Sequence, residues 1–202
     1  MGIRMRHLSC LLGVSAFLGH GVACQAAGSA PAPGSKDYAL TVYYGGLTDN
    51  DWQDAILPGA GNLVDSHIAV AAVSKTVDRA QSLPLTFEVE GQVAKHFGYQ
   101  HNWELNLLAA ARWHRFPWND WVATTAAFGL GPSYATSTPQ YEVALNGTSR
   151  RLLAYWYAEF TLGPPGKDWS VSFRLHHRST AFGLFGQDGG YNALAIGLRY
   201  SF

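Results

Sequence analysis

The stretch that most constrains this chain is its last nine residues, where Leu194, Ile196, Leu198, Tyr200 and Phe202 occupy alternate positions and small or polar residues fill the gaps. A period of two is the signature of a β-strand with one apolar face. The same alternation recurs upstream, most clearly from Leu85 to Phe97, where Leu85, Phe87, Val89, Gly91 and Val93 share one face and Thr86, Glu88, Glu90 and Gln92 the other. In a soluble sandwich the apolar face meets a second sheet. In a transmembrane barrel it meets lipid, and the polar face lines the interior. Alternation alone does not separate the two, but a final strand that stays apolar on one face and stops on a terminal Phe resembles the assembly signal of outer-membrane barrels, and soluble domains rarely end so.

Composition narrows the choice. Aromatic residues make up 13% of the chain and glycines number 22, yet beyond the N-terminal region no apolar run approaches the ~20 residues of a spanning helix. A membrane protein of this kind has to be a closed barrel, because only closure leaves no backbone group unpaired in lipid. Alternating segments are expected near 37–45, 66–77, 84–97, 102–113, 120–130, 151–162, 169–179 and 191–202. These eight make an all-β, antiparallel, up-and-down transmembrane barrel, even-numbered as bacterial barrels are. Trp103, Trp113, Trp118, Trp121, Trp156 and Trp169 fall near strand ends and read as interface girdles. Glu88, Glu90, Glu104, Arg112, Glu159 and Arg174 have interior parity, and since eight strands leave room only for side chains, these charges are expected to pair with one another.

The chain opens with Arg4, Arg6 and His7, an apolar run from Leu8 to Leu18, and small residues from Ala23 to Gly28. That is the layout of a secretory signal, too short to span a bilayer. We expect residues 1–26 to be a signal peptide, with the cleaved bond somewhere between 23 and 28. Residues 27–36 would form a flexible lead-in, 37–202 the barrel, and the product would reach the Gram-negative outer membrane by the general secretory route. Both cysteines, Cys10 and Cys24, fall in or beside the signal, so the remainder offers no disulfide and no thiolate metal site. With 14 basic and 14 acidic side chains and no basic run, nucleic acid is excluded as a partner.

Chemistry concentrates in Arg174 to Phe202. Trp169, Val171, Phe173 and Leu175 set the lipid-facing parity of the seventh strand, and His177 and Ser179 continue it. Residues two apart on a strand point the same way, so this step places an imidazole beside a hydroxyl, the minimum for a base-activated nucleophile. Asn192 has the parity of Leu194 and Phe202 on the neighbouring strand, also outward, at the same rim. Its amide oxygen can accept from the imidazole N–H and fix the tautomer, as in Cys-His-Asn sites. A pair facing lipid there would meet membrane-embedded or micellar substrate.

In these residues the chain resembles the PagL-type lipid A 3-O-deacylases, outer-membrane esterases whose eight-stranded barrels carry His-x-Ser on strand seven and Glu on strand eight. The pair maps onto His177 and Ser179, and the Glu position onto Asn192; Thr180 replaces a residue that is often Asn in the family. The resemblance implies hydrolysis of an ester-linked 3-hydroxyacyl chain of lipid A at the outer leaflet. Ser179 would be the nucleophile, His177 the general base and Asn192 the orienting group, with lipopolysaccharide as substrate and no cofactor. Asp188 is a second candidate for the acid. The alternative is a non-catalytic small barrel, either a degenerate family member or a protein whose surface loops bind a partner. Ser133, in GPSYA, lacks the context of a nucleophile elbow, and His96 and His101 flank a turn with no evident carboxylate beside them.

Overall fold

In the computed structural model, residues 36–49, 52–55, 62–186 and 189–202 are described; the signal-like segment, the lead-in to residue 35 and Asp188 lie outside them. The chain forms a closed antiparallel barrel of eight strands in sequence order. The strands are β1 (Tyr38–Thr48), β2 (Leu63–Arg79), β3 (Leu85–Gly98), β4 (Trp103–Trp113), β5 (Ala123–Ala135), β6 (Leu152–Gly163), β7 (Trp169–Ser179) and β8 (Gly190–Ser201). β1 closes on β8 through a ladder from Ala39↔Ser201 to Thr48↔Asn192. Both described termini lie at one end, with the turns 80–84, 114–122 and 164–168; the opposite end, the loop end, carries 49–62, 99–102, 136–151 and 180–189.

Parity decides what each side chain meets. Val42, Val73, Val89, Leu107, Phe128, Phe160, Phe173 and Leu198, one from each strand, are all exposed on the outside wall. A band of apolar side chains around the whole circumference is a lipid-facing surface, not a core. The interior is polar and full. Glu88 receives Arg112 Nε at 2.8 Å and Arg199 Nη2 at 3.1 Å; Glu90 receives Arg174 Nη1 at 2.7 Å. Glu159 lies between Arg112 Nη2 at 2.8 Å and Arg174 Nη2 at 2.5 Å, and also accepts from Ser172 Oγ at 2.7 Å. Nearer the loop end, Glu104 accepts from Tyr191 Oη at 2.9 Å and faces His176 Nε2 at 3.1 Å. All six expected interior charges are buried, and five pair with one another as expected; Glu104 instead meets Tyr191, His176 and His96. Desolvating ions on this scale costs several kcal/mol each, and only such dense pairing offsets it.

Several elements depart from the expected bounds. β1 and β2 run three residues further at the loop end, to Thr48 and from Leu63, because polar residues such as Asp65 and His67 can face outward above the apolar band. β5 continues through Pro132 to Ala135. The β4–β5 pairing is interrupted between Ala109↔Leu130 and Asn106↔Ser133, which accommodates a residue without an N–H. At Gly131 a Cβ would lie 1.9 Å from the Leu107 carbonyl oxygen, so only glycine permits this approach. Two short helices belong to the loops: α1 (Trp52–Ala55) and α2 (Gln140–Asn146). α2 is tied to the barrel mouth by Glu142, fully buried, which pairs with Arg178 and accepts from Ser149 Oγ at 2.5 Å and from the Gly190 N–H at 3.0 Å.

Candidate active site

The register of the last strands brings one row of outward residues together. Thr48 on β1 faces Asn192 on β8, Asn192 faces His177 on β7, and His177 faces Trp156 on β6. Ser179 pairs with Ala154 on one side and Gly190 on the other. All lie at the loop end of the wall.

His177 Nδ1 and Asn192 Oδ1 are 2.5 Å apart. An amide oxygen only accepts, so Nδ1 carries the proton and donates it, leaving the lone pair on Nε2. The imidazole lies against the Trp156 indole, with centroids 4.4 Å apart and planes at 33°. Ser179 Oγ accepts from the Ala181 N–H at 3.5 Å; among the described residues, His177 and Ser179 do not hydrogen-bond each other. Beyond Ser179 the chain turns through Ala181 and Phe182 at φ 49° and 56°, left-handed conformations costing non-glycine residues roughly 1–3 kcal/mol each. The bonds Phe185 N–H to Thr180 C=O at 3.0 Å and Leu184 N–H to Ala181 C=O at 3.2 Å hold that turn.

This patch differs from the rest of the outside wall in being sheltered. Thr48, Ala154, Leu175 and Asn192 all have outward parity, yet each is less than a tenth exposed. Trp52 of α1 meets Trp156 edge-on at 5.6 Å, and Phe128 flanks the same indole at 5.7 Å. Trp52 of α1 thus lies against the outside of β6, completing an aromatic wall beside the imidazole. Trp156, expected in an interface girdle, is instead part of this wall, whereas Trp103, Trp113 and Trp169 do stand half-exposed at strand ends. The start of β8 is set from inside the mouth: Gly190 donates to Glu142, and its carbonyl accepts from Asn146 Nδ2 at 3.1 Å. Gly190 has φ 121°, and a Cβ there would meet the Arg178 carbonyl oxygen at 2.2 Å. The placement of Asn192 therefore depends on a glycine two residues before it.

His176 and Arg178 point inward, as their parity requires, and take part in the interior network. Ser133 is inside the barrel, accepting from Arg178 Nε at 3.0 Å. His96 corrects the sequence reading, since it does have a carboxylate neighbour: its Nε2 is 3.3 Å from Glu104 Oε2, with Gln100 Nε2 2.8 Å from its other nitrogen. Sequence reasoning also missed Trp52 and Glu142. Nothing in their spacing announces either role, because both depend on loops folding back.

No protein-family profile matches the chain, and no curated protein matches it in sequence. Solved structures do. The outer membrane enzyme PagL superposes with a TM-score of 0.58 at 14% identity, over 81% of this chain and 99% of that one. Neisserial surface protein A gives 0.49 at 11% identity over 83% and 98%, and the outer membrane channel DcaP of Acinetobacter baumannii 0.29 at 15% over 68% and 41%. The chain has the closed eight-stranded antiparallel fold of an outer-membrane barrel.

Proposed function

We propose that the chain is a PagL-type esterase of the Gram-negative outer membrane that removes an ester-linked 3-hydroxyacyl chain from lipid A. The observation that carries this reading is the His177–Asn192 hydrogen bond beside Ser179 on a sheltered part of the lipid-facing wall. The amide fixes the imidazole's orientation, and the hydroxyl two residues on shares its face of the strand. The fold shared with the outer membrane enzyme PagL agrees with the resemblance in sequence.

In the reaction, Ser179 Oγ exchanges the Ala181 N–H for the imidazole and gives its proton to His177 Nε2 as it attacks the ester carbonyl. His177 then protonates the departing sugar alcohol, leaving an acyl-serine. Water, deprotonated by the same nitrogen, attacks the acyl group, and His177 returns that proton to the departing Ser179 Oγ, releasing the fatty acid and the free hydroxyl. Asn192 holds the imidazole in the tautomer that keeps Nε2 unprotonated, but as a neutral group it gives the imidazolium little charge stabilisation. The chemistry calls for no cofactor.

A non-catalytic barrel is the second reading, favoured by the absence of a His177–Ser179 hydrogen bond among the described residues. Mass spectrometry of lipid A from cells expressing the chain or its Ser179→Ala variant separates the two. Loss of one hydroxyacyl group with the wild type alone supports the esterase, and identical lipid A from both supports the alternative.

A further inference from the structure

Away from the candidate site, the outside wall from β8 across β1 and β2 to β3 and the start of β4 carries an open groove of about 650 Å³. Its floor is Ala69 and Ala71, outward residues of β2 flanked by Tyr44 and Val42 of β1 on one side and by Lys95 and Val93 of β3 on the other. Two methyl side chains between two rows of large ones leave a shallow trough over β2, extended by Ile196 and Leu198 of β8 beyond β1 and by Trp103 of β4 beyond Lys95. The trough is open toward the turn end on the β3 side, where outward Gly91 has nothing within 4 Å of its Cβ position. From the row of Lys95 to the row of Gly91 is about 13 Å of strand at ~3.3 Å per residue.

The ends of the trough differ in chemistry. Toward the middle of the wall every flanking group is hydrocarbon. At the loop end stands Lys95, whose Nζ donates to the His101 carbonyl at 2.5 Å and lies 5.2 Å over the Trp103 ring. An ammonium has three donors, so two remain for another acceptor. Tyr44, stacked on His67 at 5.6 Å, faces it across Ala69. A cation and aromatic rings at one end of a slot that is otherwise apolar and continuous with the lipid-facing wall match an amphiphile with an anionic head.

We propose that this groove is a binding site for one anionic membrane lipid of the leaflet at the loop end, its acyl chain against Ala69 and Ala71 and its phosphate on Lys95. The site is separate from His177, Ser179 and Asn192 and holds whether or not those residues hydrolyse anything.

The test is native mass spectrometry of the full chain released from nanodiscs of equal parts dimyristoyl phosphatidylglycerol and dimyristoyl phosphatidylcholine. The wild type should retain one phosphatidylglycerol, with about a fivefold preference over phosphatidylcholine, the size expected for one lysine near a charged headgroup. Ala71→Leu fills the trough while presenting one more apolar side chain to lipid, and should lower retention of both lipids at least fivefold. Lys95→Gln should remove the preference. Equal retention of the two lipids by the wild type, or unchanged retention by Ala71→Leu, would overturn the proposal. So would a wild-type dimer that Ala71→Leu dissolves, which would assign the groove to a second copy. Heat-modifiable migration of each variant checks that the barrel is closed.

Discussion

Replacing Asn192 with Asp should raise any hydrolysis of lipid A by roughly 30- to 150-fold. The change is isosteric, so the contact now made by Oδ1 at 2.5 Å from His177 Nδ1 is kept, and only charge is added. A carboxylate about 4 Å from the imidazolium centre, at an effective dielectric near 20, favours the charged ring by ~4 kcal/mol. Against this stands the cost of ionising a group that is 8% exposed on the lipid side, which near a membrane interface is ~0–1 kcal/mol plus a share for its shelter. A net ~2–3 kcal/mol at ~1.4 kcal/mol per decade gives the range above. It stays below the roughly ten-thousand-fold loss caused by the reverse change in a serine protease triad, where the carboxylate is better placed. Asn192→Glu should gain less, since the extra methylene has to be fitted where contact is already short. The assay is release of 3-hydroxy fatty acid from purified lipid A in detergent micelles, with Ser179→Ala as the zero. Equal or lower release by Asn192→Asp, with heat-modifiable migration intact, would refute the assigned role of this position.

Glu159→Gln should destabilise the barrel by about 3–5 kcal/mol, read as a lower urea midpoint in detergent, because Arg112 and Arg174 both lose a buried counter-charge; an unchanged midpoint would contradict the pairing described. His114, in the turn after β4, is held at a pKa of about 4 instead of 6.5 by burial and by the charge of Arg112, so the folded state favours its neutral form. That stabilisation is complete above pH 6.5 and is lost as pH falls toward 4, so melting temperature should drop over this window and drop less in His114→Gln; parallel pH profiles would exclude it. Deleting Phe202, whose backbone pairs with Tyr38 and whose ring stacks on the Tyr38 and Tyr200 rings, should reduce the amount of chain assembled in outer membranes; normal yield would count against the terminal residue as an assembly signal.

The strands were legible because a barrel wall exposes each residue to lipid or to the interior, and the period of two records that division directly. Leu85 to Phe97 and Leu194 to Phe202 show it most cleanly. Asn192 and His177 could be assigned to one face for the same reason, and antiparallel pairing at a common rim makes them neighbours. Where outward residues leave the hydrocarbon, as at Asp65 and His67, the pattern fades although the strand continues, so β2 was expected to start later than it does. Pro132 concealed the end of β5, because a proline argues against a strand unless the partner ladder is broken there. The helices of the loop end were illegible: four residues from Trp52 and seven from Gln140 are too few for a helical period to emerge. With them went the cover over Trp156 and the Glu142–Arg178 pair, which rest on contacts between segments distant in sequence.

The interior ion pairs also bear on the order in which this molecule can form. Glu90 and Arg174 are 84 positions apart, Glu88 and Arg199 are 111, and each of these carboxylates sits on β3 while its guanidinium arrives on one of the last two strands. A sheet of the first six strands, left open in a bilayer, would present Glu90 to hydrocarbon without Arg174 and leave Glu88 with Arg112 but without Arg199. Partial insertion is thereby penalised, and seam closure between β1 and β8 and neutralisation of the lumen become a single event. Folding intermediates of this chain should consequently remain at the membrane surface, where water still solvates the carboxylates, until the C-terminal hairpin docks.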